Sequence, residues 1–391
     1  MVRRPEEFKE KQGIDVFLRH RVNRLDPMAK QVEVKDLDKG QTRVLNFDKL
    51  VLACGARSRR LGMAGEDAVN LFTLKDLGDA IRVKEYIDHL RPRRVGILGS
   101  GYIGLEMAEA FCLRGLETTI FYRGARPVSH LEPEISEEIL KELEGKGVRF
   151  LAEHTPLRLR TDGGGEIVSV ETSKGTYPVD LVLSALGVVP NAEIAQEAGL
   201  RLGKTGAVWT DATQRTDHPD IYAAGDCCEV FHQVLEDPVY MPLGDVANKQ
   251  GRVAGENAAG GSATFDGVVG SQCFQVFSLE VATTGVTEST AREKGLDVGV
   301  QTIEAPSKVH YMPGAKPLLL KIVFERRTGR LLGGHMVGRE GVARRINTLA
   351  VAVQSRMTVQ ALSRMDFAYA PQFSAPFDPI LIAAEQALKK L

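Results

Sequence analysis

The sequence predicts an α/β protein built on parallel sheets and followed by an α+β domain. Three observations carry this. A strand, a glycine turn, a helix and a returning strand fill residues 93–123. A second buried strand, Ile221-Tyr222-Ala223, runs into Ala224-Gly225-Asp226. Beyond about residue 263, strands precede helices, which is the order of an α+β domain.

At 391 residues the chain can hold two or three domains. A formal net charge of −1 gives no global field toward nucleic acid or an anionic membrane. The longest apolar run, Leu181 to Pro190, is too short to cross a bilayer, and the N-terminal residues do not form a secretory signal. Five irregularly spaced cysteines argue against a disulfide scaffold and for a reducing, cytoplasmic setting. No C-x-x-C or H-E-x-x-H pattern supports a metal site.

In chain order, Ile14-Asp15-Val16-Phe17-Leu18, Gln31-Val32-Glu33-Val34 and Asp48 to Ala53 read as strands. A helix is expected over Leu77 to Leu90. The strand Arg94 to Leu98 enters Gly99-Ser100-Gly101-Tyr102-Ile103-Gly104, and the helix that follows places Ile103, Met107, Ala110 and Phe111 on one face. Thr118 to Tyr122 is the returning parallel strand, and residues 133–146 read as a charged surface helix. Val179 to Ala185 is a buried strand turning at Gly187. Ala259-Gly260-Gly261-Ser262 reads as a hinge. After it come strands over 318–324 and 330–337 and helices over 341–355 and 380–391.

The glycine turn is the first chemical signal. Gly99 allows a tight turn, Gly101 lets backbone approach a pyrophosphate, and Gly104 permits close helix–strand packing. The phosphates would meet free N–H groups at the helix start. The end of the second strand reads the ribose. An acidic residue there selects NAD, but this chain has Tyr122 and Arg123, with Arg126 nearby. No carboxylate repels a 2′-phosphate, so NADPH, or use of both nucleotides, is expected over NADH alone. The Gly225-Asp226 turn is the second signal. Asp226 can accept a hydrogen bond from a polyol hydroxyl, as a flavin site needs. Cys54, Cys112 and Cys273 read as packing or strand residues, and Cys227 with Cys228 as structural thiols.

Several segments together resemble the pyridine nucleotide-disulfide oxidoreductase superfamily. They are Asp48 to Ala56, Gly99 to Glu109, Gly187 to Asn191, Tyr222 to Glu229, Asn248 to Arg252, His310 to Ala315 and Ala368-Tyr369-Ala370-Pro371. The last two resemble the coenzyme A-disulfide reductase, NADH oxidase and persulfide reductase branch rather than reductases with a His-Pro pair. The resemblance covers essentially the whole chain. It implies FAD-binding and NAD(P)-binding Rossmann-like domains and a dimerisation domain. Residues 1–75 would be the first part of the FAD domain, 76–192 the NAD(P) domain, 193–262 the second part of the FAD domain, and 263–391 the dimerisation domain. It assigns Gly225, Asp226, Ala53, Gly55 and Ala247 to FAD. Gly99, Gly101, Gly104, Glu106, Tyr122, Arg123 and Gly187 would serve NADPH or NADH. Tyr311 and Tyr369 would assist thiol chemistry across a homodimer interface on a small thiol or disulfide.

Members of the superfamily open with a glycine fingerprint for the FAD pyrophosphate and a redox cysteine. Neither is found in this sequence, and Cys54 stands where relatives usually carry threonine or serine. A truncated FAD domain is therefore expected, with weak FAD binding, an unpaired sheet edge and reduced solubility. Three functions follow: a disulfide reductase from a trimmed gene or misplaced start, a non-catalytic nucleotide-binding dimer, or a cysteine-independent NAD(P)H oxidase or flavin reductase.

Overall fold

The computed structural model describes residues 4–391. The chain gathers into two compact units. One takes the residues up to Ala56 with Pro190–Phe231 and Pro238–Gly267, and the other takes Arg57–Val189, His232–Asp237 and Val268–Leu391.

In the first unit, Gln31–Asp36 and Thr42–Asn46 pair antiparallel with Val34 opposite Arg43. Their neighbour is His20–Asp26, which corrects the strand expected over 14–18. That segment has no ladder partner, and Ile14, Phe17 and Leu18 are exposed. Phe17 lies beneath the Arg43 guanidinium, 4.8 Å from ring centroid to Cζ. Alternation records amphipathicity, whereas pairing depends on the neighbours a strand can find. Leu50–Leu52 and Ile221–Ala223 pair in parallel, with Val51 opposite Tyr222. Leu25, Val32, Val34, Leu52, Val208 and Ile221 bury one core. Ala254 of the helix Gly244–Ala258 packs with Tyr222 and Ala224. Trp209, the sole tryptophan, is half-buried, and the Arg201 guanidinium lies 4.6 Å from its ring.

The second unit opens on a five-stranded parallel sheet in the order Leu71–Phe72, Leu181–Ser184, Arg94–Leu98, Glu117–Phe121, Arg149–Leu151. The helix Leu77–Leu90 starts where expected because Asp76 caps it: its side chain accepts the Asp79 N–H, and the Asp79 side chain bonds back. The glycine turn leads into the helix Tyr102–Leu113. The buried face of that helix is Gly104, Leu105, Ala108 and Phe111, not Ile103, Met107 and Ala110. A Cβ at Gly104 would stand 2.6 Å from the Gly99 carbonyl oxygen, so the helix docks by its glycine and the apolar stripe rotates accordingly. The helix Pro133–Gly145 is charged outside but buries Ile135, Ile139 and Leu143, and Glu142 pairs with Arg339.

An antiparallel five-stranded sheet follows, ordered Gln272–Val276, Leu279–Gly285, Leu331–Gly338, Pro317–Glu325, Val298–Pro306. The helices Val342–Gln354 and Pro379–Ala387 bury Ile346, Leu349, Val353 and Ala383 with Leu320, Ile322 and Phe324. Leu105, Phe111, Ile139 and Leu143 also share a cluster with Val276, Leu279 and Val337. No helix among the described residues is long and apolar enough to cross a membrane.

Candidate nucleotide, flavin and thiol sites

Gly99 takes φ +100°, and a Cβ there would fall 2.5 Å from the Ala185 carbonyl oxygen, so only glycine fits. Gly101 has no neighbour within 4 Å of where its Cβ would be. Backbone is therefore open at the mouth of the helix, where N–H groups lack helical partners. A cleft of about 720 Å³ lies there, lined among others by Gly99, Gly101, Tyr122, Arg123, His130 and Gly187. The glycines, the helix start and the volume fit a dinucleotide. Glu106 is exposed on the second turn of the helix, and partial desolvation raises its carboxyl pKa despite a hydrogen bond from the Gln275 backbone.

The structure brings Tyr122 and Arg123 to this cleft. The Tyr122 hydroxyl is bonded to Ser129 Oγ at 2.6 Å, and its ring leans on Phe150. Arg126 instead lines a neighbouring cleft and lies 3.8 Å from Glu137. Two cleft residues escaped the sequence reading. His130 is bonded to the Tyr102 hydroxyl at 3.1 Å, and burial lowers its pKa. Burial also pushes Tyr102 up to about 12. Ser100 accepts the Val128 N–H at 3.3 Å. His130 belongs to no glycine pattern and no spacing signal marks it, while Ser100 fills a position between two glycines that the pattern leaves unspecified.

On the first unit, the strand Ile221–Ala223 ends at Gly225, φ +80°, followed by the half-buried Asp226. The Gln250 side chain holds this turn: Oε1 accepts the Gly225 N–H and Nε2 donates to the Glu229 carbonyl, each at 3.0 Å. A Cβ at Gly225 would lie 3.4 Å from Ala247 Cβ, so Ala247 keeps the helix close to the turn. The parallel partner strand ends at exposed Ala53 and Cys54, then Gly55 at φ +66° with open space beside it. Asn191 Nδ2 donates to the Cys54 carbonyl at 2.9 Å. An open turn at Gly55 and a glycine turn at Gly225, beside a carboxylate acceptor, fit the polyol chain of a flavin.

Desolvation beside Cys227 pushes the Cys54 thiol up to about 11, although the residue as a whole is exposed. Cys227 and Cys228 are free and buried, donating to the Ala224 carbonyl at 3.3 Å and the Gly225 carbonyl at 3.2 Å. Among the described residues no group of His, Cys, Asp or Glu could hold a metal ion.

Tyr311 and Tyr369 stand on loops of the second unit, 66% and 49% exposed. The residue that binds those loops together is Arg345, which the sequence did not single out. Its Nε donates to Asp378 at 2.8 Å and its Nη2 to the Ser307 carbonyl at 2.8 Å. Both carboxylate and guanidinium are nearly buried.

Residues 2–251 match the pyridine nucleotide-disulphide oxidoreductase family, and residues 271–378 match its dimerisation domain. The chain belongs to this family. The family is one of FAD-dependent NAD(P)H oxidoreductases, so the chain is an oxidoreductase of that class. It is 37% identical to an NAD(P)H sulfur oxidoreductase (CoA-dependent) of Pyrococcus abyssi, over 97% of this chain and 84% of that one. It superposes on an NAD-dependent persulfide reductase of A. fulgidus with a TM-score of 0.96 at 35% identity, covering 99% of this chain and 72% of the other. It also superposes on an engineered water-forming NADPH oxidase bound to NADPH, with a TM-score of 0.93 at 28% identity, covering 99% and 85%. Five substitutions made that oxidase, among them aspartate to alanine, alanine to arginine and proline to arginine.

Proposed function

We propose that this oxidoreductase takes its electrons from NADPH in preference to NADH and passes them to a small disulfide or persulfide, such as coenzyme A disulfide. The observation that carries the nucleotide choice is the pair Tyr122 and Arg123 at the cleft, with no carboxylate at the end of the strand. The oxidase engineered to bind NADPH lost an aspartate and gained arginines, which supports the same chemistry here. The relatives' sulfur substrates support the choice of acceptor.

In this reading Gly99, Gly101 and Gly104 seat the pyrophosphate on the helix start, Gly187 leaves room beside it, and Glu106 meets the nicotinamide end. Arg123 pairs with the 2′-phosphate while Tyr122 leaves that phosphate unopposed. Ala53, Gly55, Gly225, Asp226 and Ala247 hold FAD, with residues 1–75 and 193–262 as its domain. FAD, when bound, supplies two-electron transfer between the nicotinamide and the acceptor. Tyr311 and Tyr369 hydrogen-bond to the substrate sulfur across a homodimer formed by residues 263–391. The five free cysteines support work in a reducing cytoplasm.

A second reading, an oxidase or flavin reductase that uses none of these cysteines, is favoured by the raised Cys54 thiol and the burial of Cys227 and Cys228. Turnover of NADPH and NADH with coenzyme A disulfide and with O2 tests both. Disulfide-dependent NADPH oxidation supports the first reading. Oxidation that needs only O2, with no thiols gained on reduction, supports the second.

A further inference from the structure

The loop that carries Arg123 does not hold its shape by itself. Val128 sits at φ +48° while almost fully buried. A β-branched residue there is strained, at a cost of order 1–3 kcal/mol, and such strain persists only where the surroundings impose it. Its near end is pinned where the His154 N–H donates to the Tyr122 carbonyl at 2.8 Å and the Glu153 N–H to the Gly124 carbonyl at 3.0 Å. Bonds between Val128 and Ser100 and between Tyr122 and Ser129 fix its middle. Its far end is Glu132, the residue that precedes the helix Pro133–Gly145.

Glu132 is fastened to a remote lysine. Lys321, on the strand Pro317–Glu325, donates to Glu132 at 2.9 Å and Glu134 at 3.1 Å, and it lies 3.0 Å from a Glu288 oxygen. The Lys321 and Glu132 side chains are 4% and 2% exposed. The other Glu132 oxygen accepts the Glu288 N–H at 2.7 Å. Burial alone would depress the Lys321 ammonium, but the three carboxylates outweigh it and hold its pKa well above the ordinary value. Breaking one partner out of such a buried cluster leaves an uncompensated charge, so the loop end is held firmly.

We propose that Lys321 is a positioning residue for nucleotide selectivity: by fixing Glu132 it holds the loop from Tyr122 to Glu132 so that Arg123 faces a 2′-phosphate. The inference rests on the cleft being the NAD(P) site. The pyrophosphate is met by the backbone of the glycine turn and helix start, which the loop touches through Val128 on Ser100 and His130 on Tyr102 but does not supply. The 2′-phosphate is met by the loop alone. Loosening the loop therefore weakens NADP more than NAD.

The test is calorimetric titration of NADP+ and NAD+ onto the full chain and its Lys321→Met, Lys321→Arg and Glu134→Gln variants. Lys321→Met is expected to weaken NADP+ about tenfold, or 1.4 kcal/mol, and NAD+ less than about threefold. Lys321→Arg, which keeps the charge and donors, is expected to restore most of that loss. Glu134 is partly exposed at 38%, so Glu134→Gln keeps the fold and should show a smaller loss, again confined to NADP+. Should Lys321→Met not fold, the Glu134→Gln ratio decides. Equal losses for both nucleotides, or none, overturn the inference while leaving the cleft reading intact. A wild-type chain that binds neither nucleotide, or does not favour NADP+, overturns the cleft or selectivity reading and the inference with it.

Discussion

A methyl group at Gly104 would meet the Gly99 carbonyl at 2.6 Å, and that carbonyl belongs to the very turn the nucleotide approaches. Gly104→Ala is therefore expected to cost about 1–3 kcal/mol of stability, measured by denaturant unfolding, and to weaken both nucleotides alike. Tyr122→Glu acts differently. It adds a ribose acceptor and repels a 2′-phosphate, so the NADP+/NAD+ affinity ratio should fall about tenfold in titrations, with a small loss of stability from the Ser129 and Phe150 contacts given up. His232 gives a pH signature. Desolvation pushes its pKa down to about 4, and its Nδ1 accepts the N–H groups of Val234 and Leu235 at 3.3 Å. Its folded pKa lies below the unfolded value, so the unfolded chain binds the proton first. The stability it permits is full above about pH 6.5 and is lost as pH falls toward 4, by about 3 kcal/mol. Urea midpoints across that window should fall with pH in the wild type and flatten in His232→Gln. Three of these positions differ in legibility. Gly104 was visible in the glycine spacing and Tyr122 by counting to the strand end, but nothing near His232 in the sequence forecasts its burial.

At the level of elements, the sequence carries local signals but not the partners that each segment meets. The helix Leu77–Leu90 was legible because Asp76 and Asp79 form a complete capping box within four residues. The turn and helix after Leu98 were legible because three glycines do separate jobs there. The segment Ile14–Leu18 misled because its alternation has no neighbouring strand, and the stripe on Tyr102–Leu113 because Gly104 counts as apolar only by what it touches. Arg345 was invisible for a related reason: Ser307 and Asp378 lie 38 and 33 positions away from it. It ties the Tyr311 loop to the Tyr369 loop through a nearly buried ion pair. Arg345→Met should slow disulfide turnover several-fold in the flavin-loaded enzyme while leaving flavin reduction by NADPH unchanged. Stopped-flow of the two half-reactions measures this, and Tyr369→Phe should split them in the same direction. Equal loss in both halves would show that Arg345 does no more than hold the fold.

For the molecule as a whole, residues 271–378 match a dimerisation domain, and Tyr311, Tyr369, Phe373 and Phe377 are large, exposed apolar or aromatic side chains there. A two-fold dimer at micromolar concentration is the expected outcome of sedimentation velocity, and charged substitutions at Phe373 and Phe377 should shift it toward monomer. The α/β then α+β order was readable because each sheet announces itself locally. What local patterns do not carry is the way each unit is stitched from three separated stretches, or a lysine that reaches a glutamate 189 positions earlier. One consequence lies in the placing of Trp209. It is the sole tryptophan, it belongs to the first unit, and Arg201 rests on its ring. Its emission is thus a private optical channel for that unit, while far-ultraviolet ellipticity averages over both. If the two curves separate along a urea gradient, the chain melts in stages. If they coincide, the stretches that thread between the units make it one cooperative body.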